Sequence, residues 1–311
     1  MEEKLFHVIL KEVCAEQGVQ VESLSYGWVL QLSKGGKVCH IVGRNFDLNP
    51  EASGRIACDK YATYEVLKSQ GVPVIQHTMI FNPATRSAYL EQGDIWRKIT
   101  AEFEKNNSLV VKPNCGCEGK EVYLCQTLLQ VESAVEKLFK KHDSISICPY
   151  YDIRTEYRTF YLDGKVYLVY GKEKPFVIGD GVSTLFDLIS KLELPDKKVV
   201  KDNLSKLDLG YVPNEGEKVD ISWKHNLSGG AKPTILHDGE LKKSIEELAC
   251  IAGKVMNVKF ATIDIIQTTS NELFVLEVNS GIGATVFVQT VENGYQIIKK
   301  IFGEAVKKMF D

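Results

Sequence analysis

The chain has 311 residues, 44% hydrophobic and 25% charged, a balance that fits an ordinary globular protein and excludes a disordered one. Lys and Arg number 38 against 41 Asp and Glu, a formal charge of −3, so bulk charge argues against the basic footprint of a nucleic-acid binder and leaves room only for a local basic cleft. No apolar run approaches the roughly 18 residues of a membrane helix. Met-Glu-Glu-Lys at the start lacks the basic and apolar regions of a signal peptide. A cytoplasmic protein with no membrane and no nucleic-acid partner is therefore expected. Eight cysteines are too few for a disulfide scaffold. Cys115-x-Cys117, with Cys125 beyond, has the wrong spacing for a structural zinc site and reads as thiols in a loop.

In chain order, residues 4–13 and 58–70 read as helices, with short strands near 28–32 and 38–42. Val74 to Ile80 reads as a strand after the stop signal Gly71-Val72-Pro73. Leu109 to Lys112 and Glu121 to Gln126 read as short strands around a Gly-containing loop. Val131 to His142 is an amphipathic helix by its apolar spacing. Tyr157 to Leu162 and Lys165 to Tyr170 form a hairpin about Asp163-Gly164, a strong turn signal. Ser183 to Leu192 is a helix capped by Ser183 or Thr184, and 193–219 reads as a loop. Leu241 to Met256 is a helix, Phe260 to Gln267 and Glu272 to Val278 are strands, and Glu292 to Phe310 is a final helix. Hairpins mixed with helices predict an α+β fold, with some α/β character near the N-terminus.

The strand pair ending the chain carries the clearest chemistry. Glu277 and Asn279 are two apart on a strand and share a face. A turn centred on Thr269 and Ser270 places Asp264 opposite Val275, with Glu277 as its diagonal neighbour. Two carboxylates and an amide oxygen on one patch suit Mg²⁺, a hard cation that takes oxygen ligands and leaves room for phosphates. The alternative is the polar face of an ordinary hairpin. The small loop Ser280-Gly281-Ile282-Gly283-Ala284 follows at once, and glycine lets backbone approach a ligand.

Candidate phosphate contacts come earlier. Lys112 ends an apolar strand, and the loop Asn114 to Lys120, with Gly116 and Gly119, could cover phosphates with backbone N–H groups. Lys60 on a first helical turn opposes the helix dipole, a conflict that a bound phosphate would resolve. Each feature alone also reads as a solvated surface lysine or a plain turn. The segment from Ile147 to Arg158 mixes aromatic residues, two arginines and two acids, and could lie against a nucleotide base and ribose.

As an ordered set, these features resemble the ATP-grasp superfamily of carboxylate–amine ligases. The run is Asp59-Lys60, Val-Lys112-Pro, the glycine loop, Glu156-Tyr-Arg158, Asp264, and Glu277-Val-Asn279 before Ser-Gly-Ile-Gly. Pro175 to Ile189, with Gly179-Asp180-Gly181, and Asn226-Leu-Ser228-Gly229-Gly230 are similar to segments of the cyanophycin synthetases and bifunctional glutathione synthetases. The resemblance spans about Arg55 to Thr285. It implies an ATP-grasp fold with a small α/β N-terminal domain over 1–80, a lid subdomain over 81–152, and a C-terminal subdomain with the metal site over 153–311. It implies amide or peptide bond formation through an acyl phosphate, with ATP and two Mg²⁺ ions, for which Mn²⁺ could substitute. The substrates implied are a small-molecule or peptide carboxylate and an amine.

Carried over residue by residue, Lys60 and Lys112 would hold phosphates, under a flap containing Gly116, Gly119 and Lys120. Pro149, Tyr150 and Tyr151 would form the adenine hinge, and Glu156 would meet the ribose. Asp264, Glu277 and Asn279 would hold the metal ions. Arg158 would stabilise the transferred phosphoryl group, and Asn226, Ser228, Gly229 and Gly230 would lie near the acyl phosphate. Many relatives have Arg where this chain has Thr262, and close relatives have Arg at Glu173, so Lys172 or Lys174 would take over a cationic role. An ATP-grasp kinase and a non-catalytic nucleotide-binding module are the competing expectations. The first 57 residues carry no interpretable motif, and a homodimer stays open.

Overall fold

The computed structural model describes residues 4–85, 94–116, 119–192 and 207–311. Residues 193–206 of the loop expected over 193–219, together with Cys117 and Glu118, lie outside them. The chain opens with α1 (Leu5–Glu16), which buries Ile9, Leu10, Val13 and Cys14 along one stripe. An antiparallel meander follows: β1 (Gln20–Leu24), β2 (Val29–Lys34), β3 (Lys37–Val42) and β4 (Asn45–Phe46). Hairpins rather than crossovers join these strands, so the sheet at this end is antiparallel throughout. Next come α2 (Glu51–Cys58) and α3 (Lys60–Ser69) in place of the single helix expected over 58–70. Asp59 is the reason for the break. Its extended backbone bridges to Cys115, and its carboxylate accepts the Ala62 N–H at 2.8 Å as the cap of α3.

The middle of the chain forms β5 (Thr78–Phe81), α4 (Ile95–Asn106), β6 (Leu109–Pro113), β7 (Tyr123–Cys125), α5 (Leu128–Phe139) and β8 (Ser144–Pro149). Their sheet runs β5-β8-β6-β7 and is antiparallel. Ile99 of α4 and Val131 and Leu138 of α5 bury against Leu109, Val111, Ile145 and Ile147 of the sheet. Capped by Thr127, α5 starts three residues before the start expected.

The remainder contributes β9 (Ile153–Leu162), β10 (Lys165–Glu173), β11 (Phe176–Ile178), α6 (Leu185–Ser190), β12 (Lys218–Asp220) and β13 (Lys232–Ile235). It ends with α7 (Glu240–Val255), β14 (Phe260–Thr268), β15 (Leu273–Asn279), α8 (Thr285–Thr290) and α9 (Gly294–Phe310). The large sheet has the order β13-β10-β9-β14-β15. Asp163 and Gly164, at φ 44° and 87°, make the tight turn between β9 and β10. The hairpin is longer than its sequence signal, because Lys172 and Glu156 continue the pairing. Thr184 caps α6 in a reciprocal capping box with Asp187. The strand expected over 74–80 begins only at Thr78, because Val74 bridges in parallel to Val275 at the edge of β15.

Every residue of β14 is buried, since both faces of the large sheet are covered. On one face, α7 packs Ile245, Ala249 and Ala252 against Ile263, Ile265 and Val275. Gly253 allows the close approach: a Cβ there would lie 2.5 Å from the Tyr161 ring. On the other face, Phe160, Tyr170 and Phe260 share a single core with α1, the meander and α9. The N-terminal elements therefore bury their apolar residues in the same core as the C-terminal sheet. A small satellite core joins α6 to β11 and β12.

Candidate active site

The middle sheet and the large sheet face each other across an open cleft. Its apolar end is built from strand residues of both. Ile75, Val110, Cys148 and Ile266 are buried there, with Ile153, Trp223 and Leu276 packed against them. Tyr150 lies edge-on to Trp223, with ring centroids 6.2 Å apart. The Tyr150 N–H donates to Ser108 O at 3.2 Å, and the Tyr151 hydroxyl accepts the Gln76 N–H at 3.2 Å. These bonds hold the Tyr150 backbone and the Tyr151 ring in place. A flat apolar slot of this kind suits a planar heterocycle.

The other end is charged, and strand register explains why. Tyr170, Arg158, Asp264 and Glu277 are successive cross-strand partners on β10, β9, β14 and β15. Arg158 donates to both oxygens of Asp264, Nε at 2.8 Å and a terminal nitrogen at 2.6 Å. Lys172 donates to Asp264 at 3.0 Å and also to Glu156, its partner across β9 and β10. Burial alone would raise the Asp264 carboxyl, but Arg158 and Lys172 outweigh it and hold it well below the usual carboxylate range. Burial raises the Glu156 carboxyl, against the pull of Lys172.

Asp264 stands directly opposite Glu277, which corrects the expected diagonal placement across from Val275. The turn is centred on Ser270, so the pairing shifts by one residue and Gln267 pairs with Leu273, and a β-bulge follows at Asp264 and Ile265. Leu276 is the extra residue of the bulge. The distortion brings both Leu276 and Glu277 to the cleft wall, which regular alternation would forbid.

Lys112 is 7% exposed, lines the cleft, and has no hydrogen-bond or ion-pair partner among the described residues. A buried ammonium without a counter-ion is costly, and a phosphate would satisfy it. Glu277 is half-buried, and the only hydrogen-bond partner of its carboxylate among the described residues is the Asn279 amide, at 3.1 Å. Lys60 crosses to the glycine loop and donates to Gly116 O at 2.9 Å. At Gly119, φ is +63° and a Cβ would come 2.9 Å from the Asn226 amide nitrogen, so the loop closes against Asn226. His225 donates through Nδ1 to Lys172 O at 2.7 Å, leaving Nε2 buried without a partner among the described residues. Burial holds this imidazole below its ordinary value. His77, behind Lys112, is lowered further, by burial first and then by Lys112 and Lys60.

Of the residues expected from sequence, the cleft lining brings together Lys60, Lys112, Gly116, Gly119, Lys120, Pro149, Tyr150, Tyr151, Glu156, Arg158, Lys172, Asn226 and Glu277. Asp264 lies fully buried behind Arg158, and Asn279 beside Glu277. Ser228, Gly229 and Gly230 form a turn after Asn226 and do not line the cleft. Lys174 also lies off the lining and points toward Asp220, 4.0 Å away. Arg154, the other arginine of the segment from Ile147 to Arg158, holds the β14–β15 turn through Asn271 and Thr269. Sequence reasoning missed the apolar lining and the Trp223-Lys224-His225 wall. Only the run of polar and aromatic residues just before Asn226 could have signalled that wall.

A donor set of Glu277 and Asn279 fits a divalent cation that also contacts phosphates. Asp264 fits it less directly, since three of its acceptor positions are taken by Arg158 and Lys172. No cluster of three acidic, His or Cys side chains suited to a metal ion occurs among the described residues.

A five-stranded antiparallel sheet facing a smaller four-stranded one fits the ATP-grasp fold. Residues 215–302 match the model of the RimK-like ATP-grasp domain. Among curated proteins it is 27% identical over 278 residues to the cyanophycin synthetase of Trichormus variabilis, a match covering 84% of this chain and 29% of that protein. It is 26% identical over 188 residues to the glutathione biosynthesis bifunctional protein of Lactiplantibacillus plantarum, covering 58% and 23%. The chain thus spans less than a third of the length of these relatives. Among solved structures, the bifunctional glutathione synthetase of Pasteurella multocida superposes with a TM-score of 0.57 at 18% identity, over 96% of this chain and 44% of that one. A D-alanine–D-alanine ligase from Bacillus anthracis gives 0.53 at 14% identity, over 86% and 72%. No helix among the described residues is long and apolar enough to cross a membrane.

Proposed function

We propose that the protein is an ATP-dependent carboxylate–amine ligase. It would form an amide or peptide bond on an amino acid or peptide and release ADP and phosphate. The observation that carries this reading is one cleft that joins an apolar slot to a cationic end, with Lys112 in no ion pair among the described residues and the Glu277 carboxylate on the cleft wall beside Asn279. The named relatives, which include synthetases and ligases, support the same class.

In this reading the apolar slot takes the adenine, and Lys60, Lys112 and the Gly116–Lys120 loop take the phosphates. Two Mg²⁺ ions, replaceable by Mn²⁺, would be held by Glu277 and Asn279, with Asp264 joining if Arg158 yields a bond; they would neutralise phosphate charge. Arg158 lines the cleft beside Glu277 and would stabilise the charge that develops as phosphate passes to the substrate carboxylate. The amine then displaces phosphate from the acyl carbon. Lys172, locked between Glu156 and Asp264, keeps Arg158 aligned. The glycine loop would exclude water, to which an acyl phosphate is otherwise lost. A cytoplasmic location with no nucleic-acid or membrane partner belongs to the same proposal.

The test is ADP release with Mg-ATP across a panel of amino acids and peptides, with and without hydroxylamine. Hydroxamate formation with one carboxylate is expected. ADP release without hydroxamate for any carboxylate would replace the ligase by a kinase.

A further inference from the structure

The proposed ligase reading leaves the substrate open, and the N-terminal hairpin bears on it. β3 and β4 are joined by the two-residue turn Gly43-Arg44, which Gly43 opens at φ +62°. The Trp28 ring lies over that glycine, where an added Cβ would meet it at 2.8 Å, and this stiffens the turn. The tip is stitched to the loop that follows Asn279. Ile282 N–H donates to Arg44 O at 3.0 Å, Asn45 forms an antiparallel bridge with Gly281, and Ser280 Oγ donates to Asn45 Oδ1 at 3.0 Å. Arg44 is therefore fixed against the segment that begins one residue beyond the Glu277–Asn279 pair.

Its side chain is placed but unused. A Cβ on Gly283 would lie 3.0 Å from an Arg44 guanidinium nitrogen, so that glycine leaves the space the guanidinium fills. Arg55, Arg154 and Arg158 all have side-chain or backbone acceptors. Arg44 is exposed and its guanidinium has no acceptor and no carboxylate partner among the described residues. A guanidinium on a rigid turn, beside small residues and tied to the loop that follows the Glu277–Asn279 pair, is suited to a forked bond with a carboxylate.

We infer that Arg44 anchors a non-reacting carboxylate of the substrate, so that the substrate is an amino acid or peptide with a carboxylate beyond the one activated. The inference rests on the ligase reading only for the identity of the molecule that bears this group. Arg44 acts on specificity, without contact with the reacting atoms.

The test compares wild type, Arg44→Ala and Arg44→Lys against L-amino acids and dipeptides, each as the free acid and as the C-terminal amide. Two readouts are taken: KM from ADP release with Mg-ATP, and ligand-induced thermal stabilisation with Mg²⁺ and a non-hydrolysable ATP analogue. For the free acid that binds, R44A should weaken binding about tenfold or more. R44K should recover part of the loss, and the KM for ATP should not move. Equal responses of wild type and R44A to every carboxylate overturn the anchor. So does a wild type that treats acid and amide alike, or that no panel member stabilises. Stabilisation by an acid that is lost in R44A, without ADP release from any protein, keeps the anchor and overturns the ligase.

Discussion

Asp264 and Glu277 face each other across two strands, yet their circumstances differ. Asp264 is fully buried and neutralised by Arg158 and Lys172, whereas Glu277 is half-exposed and meets only an amide. Replacing one partner of a buried ion cluster strands the others and costs about 3–5 kcal/mol. Asp264→Ala is therefore expected to lose stability of that order, read as a fall in the urea midpoint. Glu277→Gln should stay within about 1 kcal/mol of wild type and still lose metal-dependent turnover. Loss of stability in Glu277→Gln, or its absence in Asp264→Ala, would show the two roles to be wrongly divided. The identity of these acids was legible in the sequence, but their pairing was not. It depends on a bulge in the pairing of β14 with β15, which no local pattern announces.

Among the elements, the hairpins were the most legible, because Asp163-Gly164 and the apolar alternation on either side give a local signal. The break between α2 and α3 was hidden, since Asp59 serves both as a cap and as a bridge to a loop more than fifty residues away. The apolar lining was hidden for another reason: Val110, Ile266 and Leu276 read equally well as ordinary core. Asn49 shows how a single linker residue joins elements. Its Oδ1 accepts from Lys259 N–H at 2.6 Å and Phe260 N–H at 2.9 Å, and its Nδ2 donates to Phe260 O at 2.7 Å. Asn49→Ala leaves backbone groups at the start of β14 without partners, at about 1–3 kcal/mol each when buried. Chemical denaturation should show a destabilisation of about 2–4 kcal/mol, with ATP affinity unchanged because the cleft lies at the other end of the strand. Loss of ATP affinity instead would mean that the clamp reaches the site.

At the scale of the molecule, two buried imidazoles couple stability to pH. His77 lies behind the middle sheet and His225 beside the large one, and both are held below their ordinary value, chiefly by burial. The unfolded chain takes up protons near pH 6.5, where the folded chain does not. Stability is therefore fully present above that pH and falls as pH drops below it, by up to about 1.4 kcal/mol per unit for each histidine. Urea unfolding at pH 7.5, 6.5 and 5.5 should give a falling midpoint. A flat profile would mean that both rings become charged within the fold. Sequence alone showed six histidines and no means to tell these two from the rest.

The shared core beneath the large sheet also governs when the protein can fold. Cys39 of β3 donates its thiol hydrogen to Met309 O of α9, across a separation of 270 residues. At a synthesis rate of about 5–20 residues per second, the meander leaves the ribosome roughly 15–50 s before its partner helix exists. Throughout that interval Leu30, Leu32 and Ile41 lack the helix face that covers them. The nascent N-terminal hairpins thus spend most of translation as an unshielded apolar surface, the condition in which a chain depends on a holding chaperone or on slow local structure.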